Sequence, residues 1–102
     1  MAMSTTDPAL ELVTVHLDRL LHQRRYPKTL CPSEAARALS MAELRESGVD
    51  SWRDLMPALR QLAFQMRDQG KIEILQKGDV LPLDQTMEQT TGPIRLRQPS
   101  DP

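Results

Sequence analysis

The pattern of apolar and polar positions is clearest over residues 51–78, where a helical period is followed by an alternating one. From Trp52 onward, apolar side chains recur at spacings of three and four residues and so share one side of a helix. These residues are Trp52, Leu55, Met56, Leu59, Leu62, Ala63 and Met66. Because Pro57 would remove a backbone hydrogen bond inside this helix, the sequence predicts a single turn over 52–55 and a main helix that starts near Pro57 and ends at Gly70.

The residues before this central helix predict a long first helix and a short second one. Five apolar residues recur at helical spacing and predict the first helix over 8–25: Leu10, Val13, Leu17, Leu20 and Leu21. The second helix is predicted over 32–39, because Pro32 suits a first helical position and Glu34 can reach back as in a capping box. Cys31 then occupies the capping position. A further helical turn or two is predicted over 41–47.

Beyond the central helix, the pattern predicts two strands that are joined by a long polar loop. Residues 71–76 alternate between apolar and polar side chains and form the first strand, and residues 94–97 form the second. The loop over 80–91 has no clear period. The side chains predicted to face the core from both strands are Ile72, Ile74, Ile94 and Leu96.

These elements predict an α+β, mainly helical fold, with three helices followed by a two-stranded antiparallel hairpin. Since such a hairpin is not stable alone, it must pack on the helices. The parts are those of a winged helix, a helix-turn-helix fold whose third helix is the candidate recognition element. We expect one winged-helix-like domain over 8–97, a disordered N-terminus at 1–7 and a disordered tail at 98–102.

Six short motifs occur in order along the chain. They are Cys31-Pro32-Ser33-Glu34, Trp52-Arg53, Met56-Pro57, Gly70, Gln76-Lys77-Gly78 and Gly92-Pro93-Ile94-Arg95-Leu96-Arg97. In these motifs the chain resembles a bacterial family of short proteins that is known only as a domain of unknown function. The resemblance covers about residues 10–97 and implies a winged-helix-like fold. It implies no mechanism, because none is assigned to the family.

Composition limits the classes of function. The chain has 102 residues, enough for one modest core, and a formal net charge of −1. A dedicated nucleic-acid binder is usually clearly basic, so only local basic patches could support that function. Cys31 is the only cysteine, which excludes an internal disulfide and fits a reducing compartment. We find no signal peptide and no apolar run long enough for a membrane span, and expect a cytoplasmic protein without a membrane partner.

The candidate nucleic-acid contacts are polar side chains on the central helix and the hairpin: Arg53, Arg60, Gln61, Arg67, Lys77, Arg95 and Arg97. Arginine and glutamine carry the donors that suit phosphates and base edges. Phe64 lies on the same predicted helix face and is the candidate contact for a protein partner. Alternatively, the helix face is only solvated, the hairpin covers Phe64, and Arg95 and Arg97 pair with Glu73 across the sheet.

Two functional hypotheses therefore stay open. The first is binding of double-stranded DNA, either as a monomer or as a homodimer. The second is a winged-helix module that engages a protein partner and binds no nucleic acid. We expect no enzyme, metal or cofactor, because His16 and His22 are too far apart for a helical metal pair and no phosphate-binding glycine loop is present. Cys31 at a helix start would have a stabilised thiolate, but no base lies beside it in a recognisable motif.

Overall fold

The computed structural model describes residues 8–99, which form an α+β fold that is about half helical. The helical elements are α1 (Pro8–Gln23), α2 (Pro32–Arg37), α3 (Met41–Glu46), a 3₁₀ turn (Trp52–Leu55) and α4 (Met56–Asp68). The strands are β1 (Thr29–Leu30), β2 (Glu73–Gln76), β3 (Asp79–Val80) and β4 (Arg95–Arg97). The predicted disordered segments at 1–7 and 100–102 lie outside the described residues. The described part of the predicted tail includes Gln98, whose side chain donates a hydrogen bond to the carbonyl of Leu21.

The first helix is confirmed, and it ends at Gln23 rather than at Arg25. Side chains spaced four residues apart fall on one side of a helix, and those of α1 are buried. They are Ala9, Val13, Leu17 and Leu21. Leu10 and Leu20 are partly buried at the borders of this side. The stripe therefore fixes which side of α1 packs on the rest of the chain.

The two short helices begin with capping boxes. Before α2, the backbone N–H of Cys31 donates to Oε2 of Glu34 at 2.9 Å. Before α3, the backbone N–H of Ser40 donates to Oε1 of Glu43 at 2.9 Å, and the Glu43 N–H donates to Ser40 Oγ at 3.0 Å. These bonds satisfy N–H groups that have no partner inside the helix. Gly48 follows α3 with a φ of 73°, a conformation that glycine adopts without steric cost.

The predicted division of the central helix is confirmed. Trp52–Leu55 forms a 3₁₀ turn, and α4 begins at Met56 with Pro57 in its first turn, where a missing N–H costs no hydrogen bond. The predicted apolar stripe faces the core. Leu55, Leu59, Ala63 and Met66 are buried, and Trp52, Met56 and Leu62 are partly buried.

The four strands form one antiparallel sheet in the order β1-β4-β2-β3. The predicted pairing of the two longer strands is confirmed, with Ile74 opposite Leu96. The prediction of only two strands is wrong, because β1 joins β4 with Leu30 opposite Leu96, and β3 joins β2 with Val80 opposite Leu75. Strands of two residues are too short to show an alternating pattern, so the sequence gives no sign of them.

The core lies between the helices and one face of the sheet. Its largest fully buried side chains come from α1, α4 and three strands: Val13, Leu17, Leu30, Leu59, Ile74 and Leu96. On the helical side, α2 packs against α1, α4 and the 3₁₀ turn. Within residues 8–99, no helix combines the length and the apolar character that crossing a membrane requires.

Candidate functional site

Arg67 is buried, with 4% of its surface exposed, and holds the long loop of residues 81–94 that joins β3 to β4. Its guanidinium donates to three carbonyl oxygens of this loop at 2.7–3.3 Å: those of Pro82, Leu83 and Gln85. It also donates to Oδ1 of Asp68 at 2.8 Å, which pairs its charge. One planar guanidinium can serve several acceptors in this way. This placement corrects the prediction that Arg67 faces a nucleic acid.

Phe64 is buried beneath the same loop. Only 5% of its surface is exposed, and the guanidinium carbon of Arg67 lies 4.8 Å from the centroid of its ring. Leu83 and Met87 of the loop line the depression in which Phe64 sits. The prediction of Phe64 as an exposed partner contact is therefore corrected, and residues of the loop lie beside it.

Arg60 holds the far end of the loop. Its Nη2 donates to the carbonyl of Thr90 at 2.7 Å, and its Nη1 donates to that of Gly92 at 3.0 Å. Because Arg60 and Arg67 are seven residues apart on α4, they share one side of the helix, as predicted. The loop covers that side, so Arg60 is also engaged within the chain instead of being free for a nucleic acid.

Arg97 is engaged across the sheet. Its Nε donates to Oε1 of Glu73 at 2.8 Å, and its guanidinium lies 4.7 Å from the centroid of the Tyr26 ring. Glu73 faces Arg97 directly in the β2–β4 register. The alternative in which Arg97 pairs with Glu73 is therefore confirmed, and the nucleic-acid prediction for Arg97 is corrected. Arg95 does not share this pairing.

Two exposed arginines meet at the start of the 3₁₀ turn. The guanidinium carbon of Arg53 lies 4.7 Å from the centroid of the Trp52 ring, and that of Arg37 lies 5.2 Å from it. Neither arginine forms an ion pair with a carboxylate among residues 8–99. We call Arg37, Trp52 and Arg53 the Trp52 patch. Gln61 is exposed further along α4.

Lys77 and Arg95 lie beside a depression on the sheet that we call the sheet pocket. It is lined by Thr29, Cys31, residues 75–78 and residues 91–95, and its volume is about 730 Å³. Both cationic side chains are exposed. Nε of Arg95 donates to Oγ1 of Thr29 at 2.6 Å. Of the predicted contacts, Arg53 thus belongs to the Trp52 patch, and Gln61 lies further along α4. Lys77 and Arg95 line the sheet pocket. Within residues 8–99, no hydrogen bond or ion pair joins these two groups of side chains.

A comparison with protein-family models matches residues 11–99 to a family described as "Protein of unknown function (DUF3253)". The chain belongs to the DUF3253 family. The resemblance inferred from the six motifs is confirmed to that extent, namely membership of a family without an assigned function. No curated protein matches the chain in a sequence comparison.

Of the Trp52 patch of this DUF3253 chain, sequence reasoning named only Arg53 as a candidate contact; it placed Trp52 on the core-facing stripe and did not name Arg37. Arg37 lies at the end of α2 and reaches Trp52 because α2 packs against the 3₁₀ turn. The two residues are fifteen positions apart, and no periodicity relates them. The one signal available was Trp52 itself, a large partly exposed ring beside Arg53 on which a second cation can stack.

The start of α2 in this DUF3253 chain carries a charged pair. Arg24 Nη1 donates to Oε2 of Glu34 at 2.8 Å, and Nη2 donates to the other carboxylate oxygen. The hydrogen bonds from Arg24 hold the pKa of Glu34 below its ordinary value, and the backbone N–H of Cys31 acts in the same direction, whereas burial opposes both. Glu34 thus joins Arg24, the residue directly after α1, to α2 while it caps α2.

We expect Glu34→Gln to lower the free energy of unfolding by about 1 kcal/mol at neutral pH. Glutamine keeps an acceptor for the Cys31 N–H but loses the charge that Arg24 binds. Folding lowers the pKa of Glu34. The ionised carboxylate therefore contributes fully to the free energy of unfolding at pH values above the ordinary glutamate pKa of about 4.3. This contribution is lost as the pH falls from there through the lowered pKa of the folded protein.

Urea unfolding of wild type and Glu34→Gln at neutral pH and at several acidic pH values measures this contribution. The stability difference between the two proteins should narrow as the pH falls below about 4.3. Glu88→Gln, at an exposed position that no hydrogen bond or ion pair within residues 8–99 engages, is the matched control and should show no such difference. A difference that stays constant with pH would show that the charge is not the cause.

No metal centre is evident from residues 8–99, in which no three His, Cys, Asp or Glu side chains lie close enough to hold an ion. His16 is engaged in another way. Its Nε2 lies 3.2 Å from Oε1 of Glu43, and Nη2 of Arg19 donates to its Nδ1 at 3.1 Å. Both ring nitrogens therefore have partners, and the residue links α1 to α3.

Proposed function

We propose that this protein binds double-stranded DNA through the Trp52 patch and the exposed side of α4. The observation that carries the proposal is the pair of exposed guanidiniums, those of Arg37 and Arg53, on one indole ring. No carboxylate of residues 8–99 forms an ion pair with either of them. Two such cations in one place attract a polyanion more strongly than two scattered ones.

Stacking on Trp52 restricts the side chains of both arginines before they bind a phosphate. A free arginine side chain loses rotamer freedom when it binds, and a guanidinium that already rests on an aromatic ring loses less of it. The planar group still presents N–H donors at its edges, which suit the paired oxygens of a phosphate. The patch therefore offers two oriented phosphate contacts at one end of the 3₁₀ turn and α4.

The order of elements supports a winged-helix fold for this function. The chain runs α1, β1, α2, α3, the 3₁₀ turn with α4, and then the strands β2 and β4, which pair with each other and with β1. In a winged helix the helix before the paired strands enters the major groove. Here that helix is α4, and Gln61 on its exposed side carries an amide that suits an adenine edge.

We expect the affinity to depend strongly on salt and to be modest, since the net charge of the chain is −1 and Asp54 is exposed beside Arg53. Replacing both Arg37 and Arg53 with glutamate should lower the affinity for a mixed-sequence duplex at low salt by at least about tenfold. The slope of log affinity against log salt should fall by about one for each phosphate that the variant no longer binds. Fluorescence anisotropy of a labelled duplex over a salt series measures both quantities.

The matched control is Arg25→Glu, which makes the same charge change as a single Arg37→Glu or Arg53→Glu reversal, at an exposed residue whose side chain has no partner among residues 8–99. It should lower the affinity far less than either reversal in the patch. Wild-type protein that shows no salt-dependent binding at low salt would overturn the proposal. The protein-partner alternative would then be favoured, with an apolar depression at Leu10, Val15 and Leu62 as its surface.

A further inference from the structure

The floor of the sheet pocket is apolar although it lies on the face of the sheet away from the core. Side chains alternate between the two faces of a strand, so Leu75 points away from the face that Ile74 gives to the core. Leu75 is nevertheless 5% exposed and lies outside the main core cluster. Pro93 and Ile94 also line the pocket. The small exposed part of Leu75 and the exposed Pro93 together give an apolar surface to a depression that opens to solvent.

The walls of the sheet pocket are fixed by hydrogen bonds. Nε2 of Gln76 donates to the carbonyl of Thr91 at 2.6 Å and to that of Pro93 at 3.3 Å. Arg60 holds the same segment from α4 through the carbonyl of Gly92. Cys31, which directly precedes α2, also lines the pocket. The pocket is therefore already formed, and its volume of about 730 Å³ is that of a small-molecule site.

The charged residues that line the pocket are both cations. They are Lys77 and Arg95, and none of the lining residues is acidic. Lys77 forms no hydrogen bond or ion pair through its side chain within residues 8–99, and Nη1 of Arg95 donates none. Two acids close to the pocket in sequence or in charge interaction are engaged or exposed. Glu34, whose pKa Arg95 helps to lower, is bound by two nitrogens of Arg24, and Asp79 is exposed after the turn.

We propose that the sheet pocket binds a small amphipathic carboxylate, with its apolar body over Leu75 and its carboxylate between Lys77 and Arg95. The apolar floor favours a body without polar groups, because burying an unpaired polar group is costly. The two cations, neither of which forms an ion pair with a carboxylate of residues 8–99, favour a negative head. A carboxylate suits this pocket better than a phosphate does, since a second negative charge would add a desolvation cost next to an apolar surface. This proposal does not depend on DNA binding.

Cys31 provides a built-in reporter of occupancy. It is the only cysteine of the chain, it is partly exposed, and it lines the pocket. A ligand over Leu75 would shield its thiol from a maleimide reagent. Octanoate serves as the probe, octan-1-ol supplies the same apolar body without charge, and acetate supplies the charge without the body.

We expect octanoate to slow the maleimide reaction of Cys31 in the full chain and to bind at least about tenfold more tightly than octan-1-ol by calorimetry. Acetate should neither protect Cys31 nor bind measurably. The double variant Lys77→Asn/Arg95→Gln should reduce the octanoate affinity to that of octan-1-ol and leave the octan-1-ol affinity unchanged. Circular dichroism of this variant should match that of the wild type.

The matched control is Lys71→Asn, at an exposed lysine beside the other end of β2, which should bind octanoate as the wild type does. Equal protection by octanoate and octan-1-ol would overturn the proposed carboxylate site. So would octanoate binding that leaves the reactivity of Cys31 unchanged. The two pocket substitutions leave the Trp52 patch intact, so failure of this test and failure of the DNA proposal are separate results.

Discussion

Replacing Arg67 with alanine is expected to lower the free energy of unfolding by about 3 kcal/mol. The change removes a buried guanidinium that donates to three loop carbonyls and to Asp68. The three carbonyls would lose a charged donor, and hydrogen bonds from charged groups are stronger than those between neutral groups. The ring of Phe64 would also lose the group that covers it. Urea unfolding followed by circular dichroism measures the loss.

Two further variants separate geometry from charge. Arg67→Lys keeps the charge, but an ammonium lacks the planar fork that reaches several carbonyls, so it should recover less than half of the loss. Arg25→Ala removes an exposed arginine whose side chain has no partner among residues 8–99, and it should change stability by no more than about 0.5 kcal/mol. If Arg67→Ala were as stable as Arg25→Ala, the role of Arg67 in holding the loop would be wrong.

Leu96→Ala is expected to cost about 3 kcal/mol, since it opens a cavity in the middle of the sheet. Leu96 is fully buried, and in the register it lies opposite Ile74 on one side and Leu30 on the other. These three side chains form a continuous apolar row across β1, β4 and β2. The substitution should therefore affect the packing of all three strands, and thermal and urea unfolding should both show it.

The chain supplies its own control for this change. Leu83 is 75% exposed in the long loop, and it takes part in the structure through its backbone carbonyl, which accepts from Arg67. Leu83→Ala removes the same atoms as Leu96→Ala and should change stability by no more than about 0.5 kcal/mol. Similar losses for the two variants would mean that burial in the sheet is not what makes Leu96 important.

The elements that the sequence predicted correctly are those in which the spacing of apolar residues repeats over enough positions to be recognised. The stripe from Val13 to Leu21 identified α1, and Pro57 correctly divided the central helix. Local chemistry was equally informative at the capping residue Glu34. The strands β1 and β3 escaped prediction, because two residues show no period and their pairing depends on distant parts of the chain.

The candidate site was predicted less well, for a related reason. The helix pattern correctly placed Arg60 and Arg67 on one side of α4, but it could not show what covers that side. Residues 81–94 have no period, so their path over the helix is invisible in the sequence. The contact between Arg37 and Trp52 likewise depends on how α2 packs. Periodicity shows which way a side chain points, and tertiary contacts decide what it meets.

The way in which α4 holds the long loop also affects how freely the loop can change in evolution. Arg60 and Arg67 bind main-chain oxygens, which every amino acid supplies. Substitutions at Leu83 or Glu88 would leave these acceptors in place, so much of the loop can drift in sequence while its path is kept. The two arginines have no such freedom. Among related chains we therefore expect the anchors on the helix to vary less than the segment that they hold.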